Sequence, residues 1–490
     1  MNKQSLLYVS PKSTFYNTKK EVINENLKIH EETFSEDRDL YTYLLYFKDS
    51  KYYAKKLIIE NLLKNSLYKE EMTPENEERI KIEDYLIYKS LMTENITHAL
   101  KMLLGLKENK INNSRTSKLI LRFLFDRGNT DYICIKYKKK IKDLLIHAIG
   151  LKKINIIINK GDGGTLFNKL VEIYKNPFAF ECISFVFDKD YDYTSKYLLE
   201  YIKARKIFKE NKTSLKIKKG IVPIEVLEGF SSTYNGYIDI KNIYEVANVS
   251  SKQKIQRKKV VEKAISEKVD INYEKYSAYD LIKVLYNGEL NTDDEIEVLK
   301  QLNIKYEELH NESKNYLSLN VDETAFILDC SSSMAGGKDS KLSAFYNSVI
   351  MTNILSLGNN VFYCNGKMID NRLYPDGDTN LSESFLEAVE NEFKNVVIIS
   401  DGFENVGDIE AIYEKLRELN IDINVLHLNP VFSPKNMEFK KLSNNFITLP
   451  FNEIKDLKYT KYFNLLNTNP CEFKRQMKEL IVNEISSSIE

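Results

Sequence analysis

Tryptophan is missing from this 490-residue chain, glycine (17) and proline (9) are sparse, and cysteine occurs only five times. The cysteines, Cys134, Cys182, Cys330, Cys364 and Cys471, form no C-x-x-C pair and no framework spacing. No disulfide scaffold is indicated, and an odd, scattered set fits a reducing compartment. The five histidines (His30, His98, His147, His310, His427) are too dispersed for a zinc site. No uncharged run reaches ~18 residues, so no membrane span is expected. The opening MNKQSLLYVSPKSTFY lacks the apolar core of a signal peptide, which leaves the cytoplasm as the expected location. Absent too are G-x-x-x-x-G-K-[ST], G-x-S-x-G and H-E-x-x-H, which removes support for phosphoryl transfer, esterase and zincin chemistry. The expectation is a protein that is not an enzyme. Formal net charge is zero, with 71 basic and 71 acidic residues, and this balance conceals local asymmetry.

A prior of roughly one domain per 100–200 residues gives two to four domains. From residue 15 to 312 apolar residues recur at three- and four-residue spacings, as in Tyr52–Ser66, Ile82–Met92, Ser117–Phe125, Ile141–Ile149, Leu166–Tyr174 and Tyr193–Ala204. Gly161–Gly164 (GDGG) reads as a helix–helix turn, Pro177 as the opening of a helix and Lys219–Pro223 as a connector. Many short helices without a fixed period predict an irregular solenoid of the HEAT kind, with a compact bundle as the plainer alternative. After Tyr316 the pattern changes. Thr324–Leu328, Asn360–Tyr363, Val396–Ser400, Ile421–His427 and Phe446–Leu449 are apolar runs of strand length, separated by helical stretches Leu342–Ser356, Ser382–Glu392 and Ile409–Leu419. Alternating strands and helices predict a mostly parallel sheet covered on both faces. The expected domains are 1–318 (helical), 319–458 (α/β) and 459–490, a helical tail.

In an open parallel sheet function gathers beyond the carboxyl ends of the strands. Three such places carry matching chemistry: Asp329-Cys330-Ser331-Ser332-Ser333 after the first strand, Asp378-Thr379-Asn380-Leu381 before a helix, and Asp401-Gly402 after Val396–Ser400. Hydroxyls of Ser331, Ser333 and Thr379 with carboxylates of Asp329 and Asp401 supply the oxygens that a hard divalent cation wants, Mg²⁺ first. Met334-Ala335-Gly336-Gly337 lets the chain turn before the next helix. A lone D-x-S-x-S is also what a capping box looks like; three elements in this order are more specific. The pattern resembles the metal-ion-dependent adhesion site of von Willebrand A domains over roughly Val321–Lys458. It implies a Rossmann-like α/β fold and a metal that attracts an acidic oxygen from a protein ligand. The metal loop itself holds no His or Lys general base, which favours binding over hydrolysis.

Charge asymmetry is the other signal. Lys136, Lys138, Lys139, Lys140 and Lys142 form one basic run, with Lys152-Lys153 behind it. Lys203, Arg205, Lys206, Lys209, Lys212, Lys216, Lys218 and Lys219 form a second, and Lys252, Lys254, Arg257, Lys258 and Lys259 a third. Isolated runs of this kind are usually solvated helix faces; three in one region, with acids mostly elsewhere, favour a polyanion. Tyr137 and Phe123 are candidates for base stacking. KYKKKIKDLL (Lys136–Leu145) and PIEVLEGFSSTY (Pro223–Tyr234) resemble two segments of the Ro autoantigen (TROVE) family. That resemblance implies a ring of HEAT-like helices joined to a von Willebrand A domain. It further implies binding of small non-coding Y-like RNA, contact with misfolded RNA ends or with a ribonuclease through the RNA, and RNA contacts at the five lysines. His147 comes too early to match the family's histidine, and Ser231 stands where a basic residue is common. The alternative is a metal-dependent protein-interaction or assembly factor with no RNA role.

Overall fold

The structure is a computed structural model that describes residues 6–12, 18–48, 50–67, 72–160, 176–234, 238–250, 253, 262, 271–286, 290–317, 320–336, 341–431, 440–451 and 453–487. The GDGG turn, the helix expected at Leu166–Tyr174, Gly337 and the third basic run lie outside the described residues. The chain is mostly helical, with one parallel sheet. By internal contacts it forms two units. The first joins Met1–Asn61, Thr73–Leu86 and Tyr276–Glu490; the second holds Leu62–Met72 and Ile87–Lys275.

In the first unit the strands are β1 (Thr324–Asp329), β2 (Val361–Cys364), β3 (Lys367–Ile369), β4 (Arg372–Tyr374), β5 (Asn395–Ile399), β6 (Asn424–Asn429) and β7 (Ile447–Pro450). Five of them form a sheet in the order β2-β1-β5-β6-β7, every neighbouring pair parallel. β1 is buried along its whole length, the mark of a strand covered on both faces. Its side chains alternate. Phe326 and Leu328 pack with helices Ala278–Tyr286, Thr292–Ser313 and Ser343–Ser356, whereas Ala325 and Ile327 pack with Leu381–Glu390 and Ile409–Glu418. Full burial of side chains this size stabilises by about 1.5–3 kcal/mol each, which makes the β1–β5 pair the rigid centre of the unit.

Helices from the start and end of the chain also meet in this unit. Phe473, Met477 and Ile481 repeat every four residues along Pro470–Ser487 and are fully buried. Lys474 pairs with Asp37 (2.7 Å) and Lys478 with Glu78 (2.6 Å).

Two expectations need correction. β6 starts at Asn424, not Ile421, because Ile421 N–H closes the end of Ile409–Glu418 on Leu416 O (2.9 Å), with Asn420 left-handed at φ +58°. The β3–β4 hairpin was not expected. Pro177 lies in a turn, and the helix after it begins at Ala179.

In the second unit helix Thr130–Ile149 packs against Ile96–Glu108, Ser114–Phe125, Ala179–Val186 and Lys196–Lys209. Inside it Tyr137 departs from helical geometry (φ −125°, ψ 30°), so the helix kinks in the middle of the first basic run.

Candidate functional site

The sheet order places a topological switch point between β1 and β5. The chain leaves β1 for β2 on one side and returns to β5 on the other, which opens a crevice at the strand ends. Asp329 is the last residue of β1, and Asp401 follows Ser400 just beyond β5. Thr379 precedes Asn380, the N-cap of Leu381–Glu390. The three loops are laced together. Ser332 N–H donates to Gly377 O (2.9 Å), and Asn405 and Val406 N–H donate to Thr379 O (3.1 and 3.0 Å). Ser400 Oγ donates to Asp329 Oδ2 (2.7 Å). All five residues proposed from the sequence therefore lie on one connected cluster.

Its polar groups are nearly cut off from water: Asp329, Ser331, Thr379 and Asp401 are buried, and Ser333 is half-buried. Ser331 N–H donates to Asp329 Oδ1 (2.9 Å), and the Ser331 and Ser333 hydroxyls lie 3.1 Å apart. Phe403 N–H donates to Asp401 Oδ1 (3.1 Å), and the Ser333 hydroxyl is near enough to favour the charged form of Asp401. Burial, and then the charge of Asp401, push Asp329 up to about 7, against the pull of Ser331 and Ser400. Burial raises Asp401 as well. Two acids are thus held close together in a place that penalises their charge. Thr379 Oγ1 is buried and has no hydrogen-bond partner among the described residues. A buried hydroxyl without a partner costs free energy unless something else binds it.

Oxygen donors of two kinds, carboxylate and hydroxyl, around repelling acids and an unsatisfied hydroxyl fit a hard divalent cation. Among the described residues no group of three or more His, Cys, Asp and Glu side chains is arranged to hold a metal. This cluster is of another composition, with three hydroxyls and two carboxylates.

Sequence reading missed the residues that brace the site. Glu404 accepts from Ser382 N–H (2.7 Å) and Oγ (2.6 Å) on one oxygen and from Ile409 N–H (2.8 Å) on the other, tying its loop to the starts of two helices. Asn429 Nδ2 donates to Asp401 O (2.9 Å) and Lys440 O (2.9 Å). Cys364 Sγ accepts from Asn380 N–H (3.3 Å), next to Thr379. Only Ser400, adjacent to Asp401, carried a local sequence signal.

The five lysines lie together on Thr130–Ile149 but differ in what they meet. Lys138 pairs with Asp188 (2.6 Å) and sits over the Phe185 ring, and burial holds its pKa below the usual lysine range despite Asp188. Lys136 pairs with Glu225 (3.5 Å). Lys140 lies over the Tyr137 ring and Lys142 over that of Phe187, while Lys139 is exposed. In the second run Arg205 shares Asp188 with Lys138, and Lys212 pairs with Glu210 (2.7 Å). The sequence had placed the compensating acids mostly elsewhere; the fold brings several of them back. Tyr137 bonds Thr97 Oγ1 through its hydroxyl (2.9 Å), and Phe123 is fully buried, so Phe123 is no stacking platform.

Comparison with protein-family models finds no match, and neither do comparisons with curated proteins and with solved structures. Among the described residues no helix is long and apolar enough to cross a membrane.

Proposed function

We propose that the chain is a metal-dependent binding protein. In this reading an α/β domain of von Willebrand A type holds Mg²⁺, or another divalent cation, on Asp329, Ser331, Ser333, Thr379 and Asp401. The cation then takes an acidic oxygen from a protein partner. The observation that carries the reading is the Thr379 hydroxyl, buried without a partner among the described residues in the same laced cluster as two buried carboxylates. A cation supplies what each lacks: a bond for the hydroxyl and countercharge for the acids. The carboxylates already accept protein hydrogen bonds, which leaves charge on the metal for an outside ligand. Titration calorimetry of Mg²⁺ or Mn²⁺ into the metal-stripped full chain tests this. Binding by wild type and its loss in Asp329→Ala is expected, and unchanged affinity in that variant overturns the assignment.

A second reading, the Ro-like one, adds RNA on a HEAT-like helical part. It is favoured by one specific observation: Tyr137, at the kink of Thr130–Ile149, is flanked by Lys136 and Lys140 close to its ring, with Lys139 exposed beside it. Cations around an aromatic suit the phosphates and bases of a single-stranded RNA end. A structured RNA with a single-stranded tail then binds tightly at low salt and weakens steeply as salt rises. Replacing Lys138, Lys139 and Lys140 together with alanine weakens it by ~1–3 kcal/mol and flattens the salt slope, while Asp329→Ala leaves it unchanged. RNA binding that ignores both salt and the triple change leaves the protein-assembly reading alone.

A further inference from the structure

The carboxylate of Asp329 is fixed from two sides. Ser331 N–H, on its own loop, donates to Oδ1 (2.9 Å), and Ser400 Oγ, beyond β5, donates to Oδ2 (2.7 Å). The Ser400 hydroxyl also accepts from Gly402 N–H (3.0 Å), so one oxygen ties the first acid to the turn that carries the second. Ser400 is in turn held from behind. His427 Nε2 lies 3.1 Å from Ser400 O, and its Nδ1 lies 3.2 Å from Thr448 Oγ1. A carbonyl only accepts, so Nε2 carries the proton and Nδ1 accepts from the threonine. The chain of hydrogen bonds thus runs from β7 through β6 and β5 to the end of β1, across neighbouring strands. Asp329, Ser400 and His427 are all fully buried, so no water replaces a lost link at little cost.

We propose that Ser400 is a positioning residue that orients the Asp329 carboxylate toward the cation; this rests on the metal reading above. A carboxylate turns freely about its last bond unless both oxygens are engaged, and the Ser331 amide engages only one of them. A hydroxyl at position 400 is needed because it donates to Asp329 and accepts from Gly402 at once.

The test is titration of Mn²⁺ alone into the metal-stripped full chain, for wild type, Ser400→Ala, Ser400→Thr and Asp329→Ala. Ser400→Ala is expected to lose roughly 10–100-fold in affinity, as is usual when a group holding a metal ligand is removed. Ser400→Thr, which keeps the hydroxyl, is expected to bind close to wild type. Should the alanine chain fail to melt cooperatively, Ser400→Cys takes its place with the same expected direction. Wild-type affinity in Ser400→Ala or Ser400→Cys, or no recovery in Ser400→Thr, overturns the role of Ser400. A wild-type chain that takes up no Mn²⁺ removes the metal reading itself.

Discussion

At Gly402 the backbone takes φ +83°, and a Cβ there would run into the carbonyl of Lys440, which also accepts from Asn429. Neither backbone moves without disturbing the Asp401 loop. Gly402→Ala is therefore expected to cost about 1–3 kcal/mol in urea unfolding and to weaken metal binding as well. Two buried imidazoles lower acid stability, against the buried Asp329 and Asp401, whose raised carboxyls give the metal-free fold the opposite slope. Burial lowers His30 from 6.5 to about 3 and His427 from 6.5 to about 4, so the folded chain refuses protons that the unfolded chain accepts. Their contribution is complete above pH 6.5 and is lost as pH falls from there toward 4, by about 1.4 kcal/mol per pH unit for each group. Urea melts of the metal-free protein between pH 7 and 4 check this, and His30→Gln is expected to flatten the slope. The site residues were legible because they sit in three short stretches at strand ends, each written contiguously. Thr379 lacking a partner and Ser400 holding Asp329 were not, since both depend on which loops face each other. The lysines were read too generously for the same reason: Asp188 and Glu225 lie 50 and 89 positions from Lys138 and Lys136.

Among elements, the buried strands announced themselves as unbroken apolar runs, because a parallel strand covered on both faces has no polar side to show. The β3–β4 hairpin did not. Its strands have three residues each and none is buried, so no apolar pattern marks them. Asp370 and Asn371, at φ +50° and +58°, form its turn, and that dipeptide was the one available cue. The C-terminal helix was legible as a helix, and it packs on the first helices. Its hold is apolar first and ionic second. Phe473 is fully buried and stacks on Phe47 with centroids 6.3 Å apart, so Phe473→Ala is expected to cost about 3–5 kcal/mol. The partly exposed Lys474–Asp37 pair is worth far less, and Lys474→Ala should stay under ~1 kcal/mol. Chemical denaturation of the two variants side by side decides the order.

For the whole molecule, the candidate metal site lies in the first of the two units, so a cation is expected to stabilise that unit. Calorimetry is expected to resolve two transitions. Mg²⁺ at about 100 times its dissociation constant should raise the one that includes the sheet by the equivalent of ~2.7 kcal/mol and leave the other in place. Equal shifts in both transitions would contradict that assignment. The division also bears on how the chain is made. The first unit is interrupted: its opening segments find their partners in Thr460–Thr468 and Pro470–Ser487 only after the second unit has been spelled out. At about 5–20 residues per second, Leu40 and Tyr41 leave the ribosome on the order of 20–90 seconds before the helix carrying Phe473. The inserted unit has all its residues in hand well before then, and is free to fold first while the leading helices wait with their apolar faces uncovered, a period in which a chaperone has the most to protect.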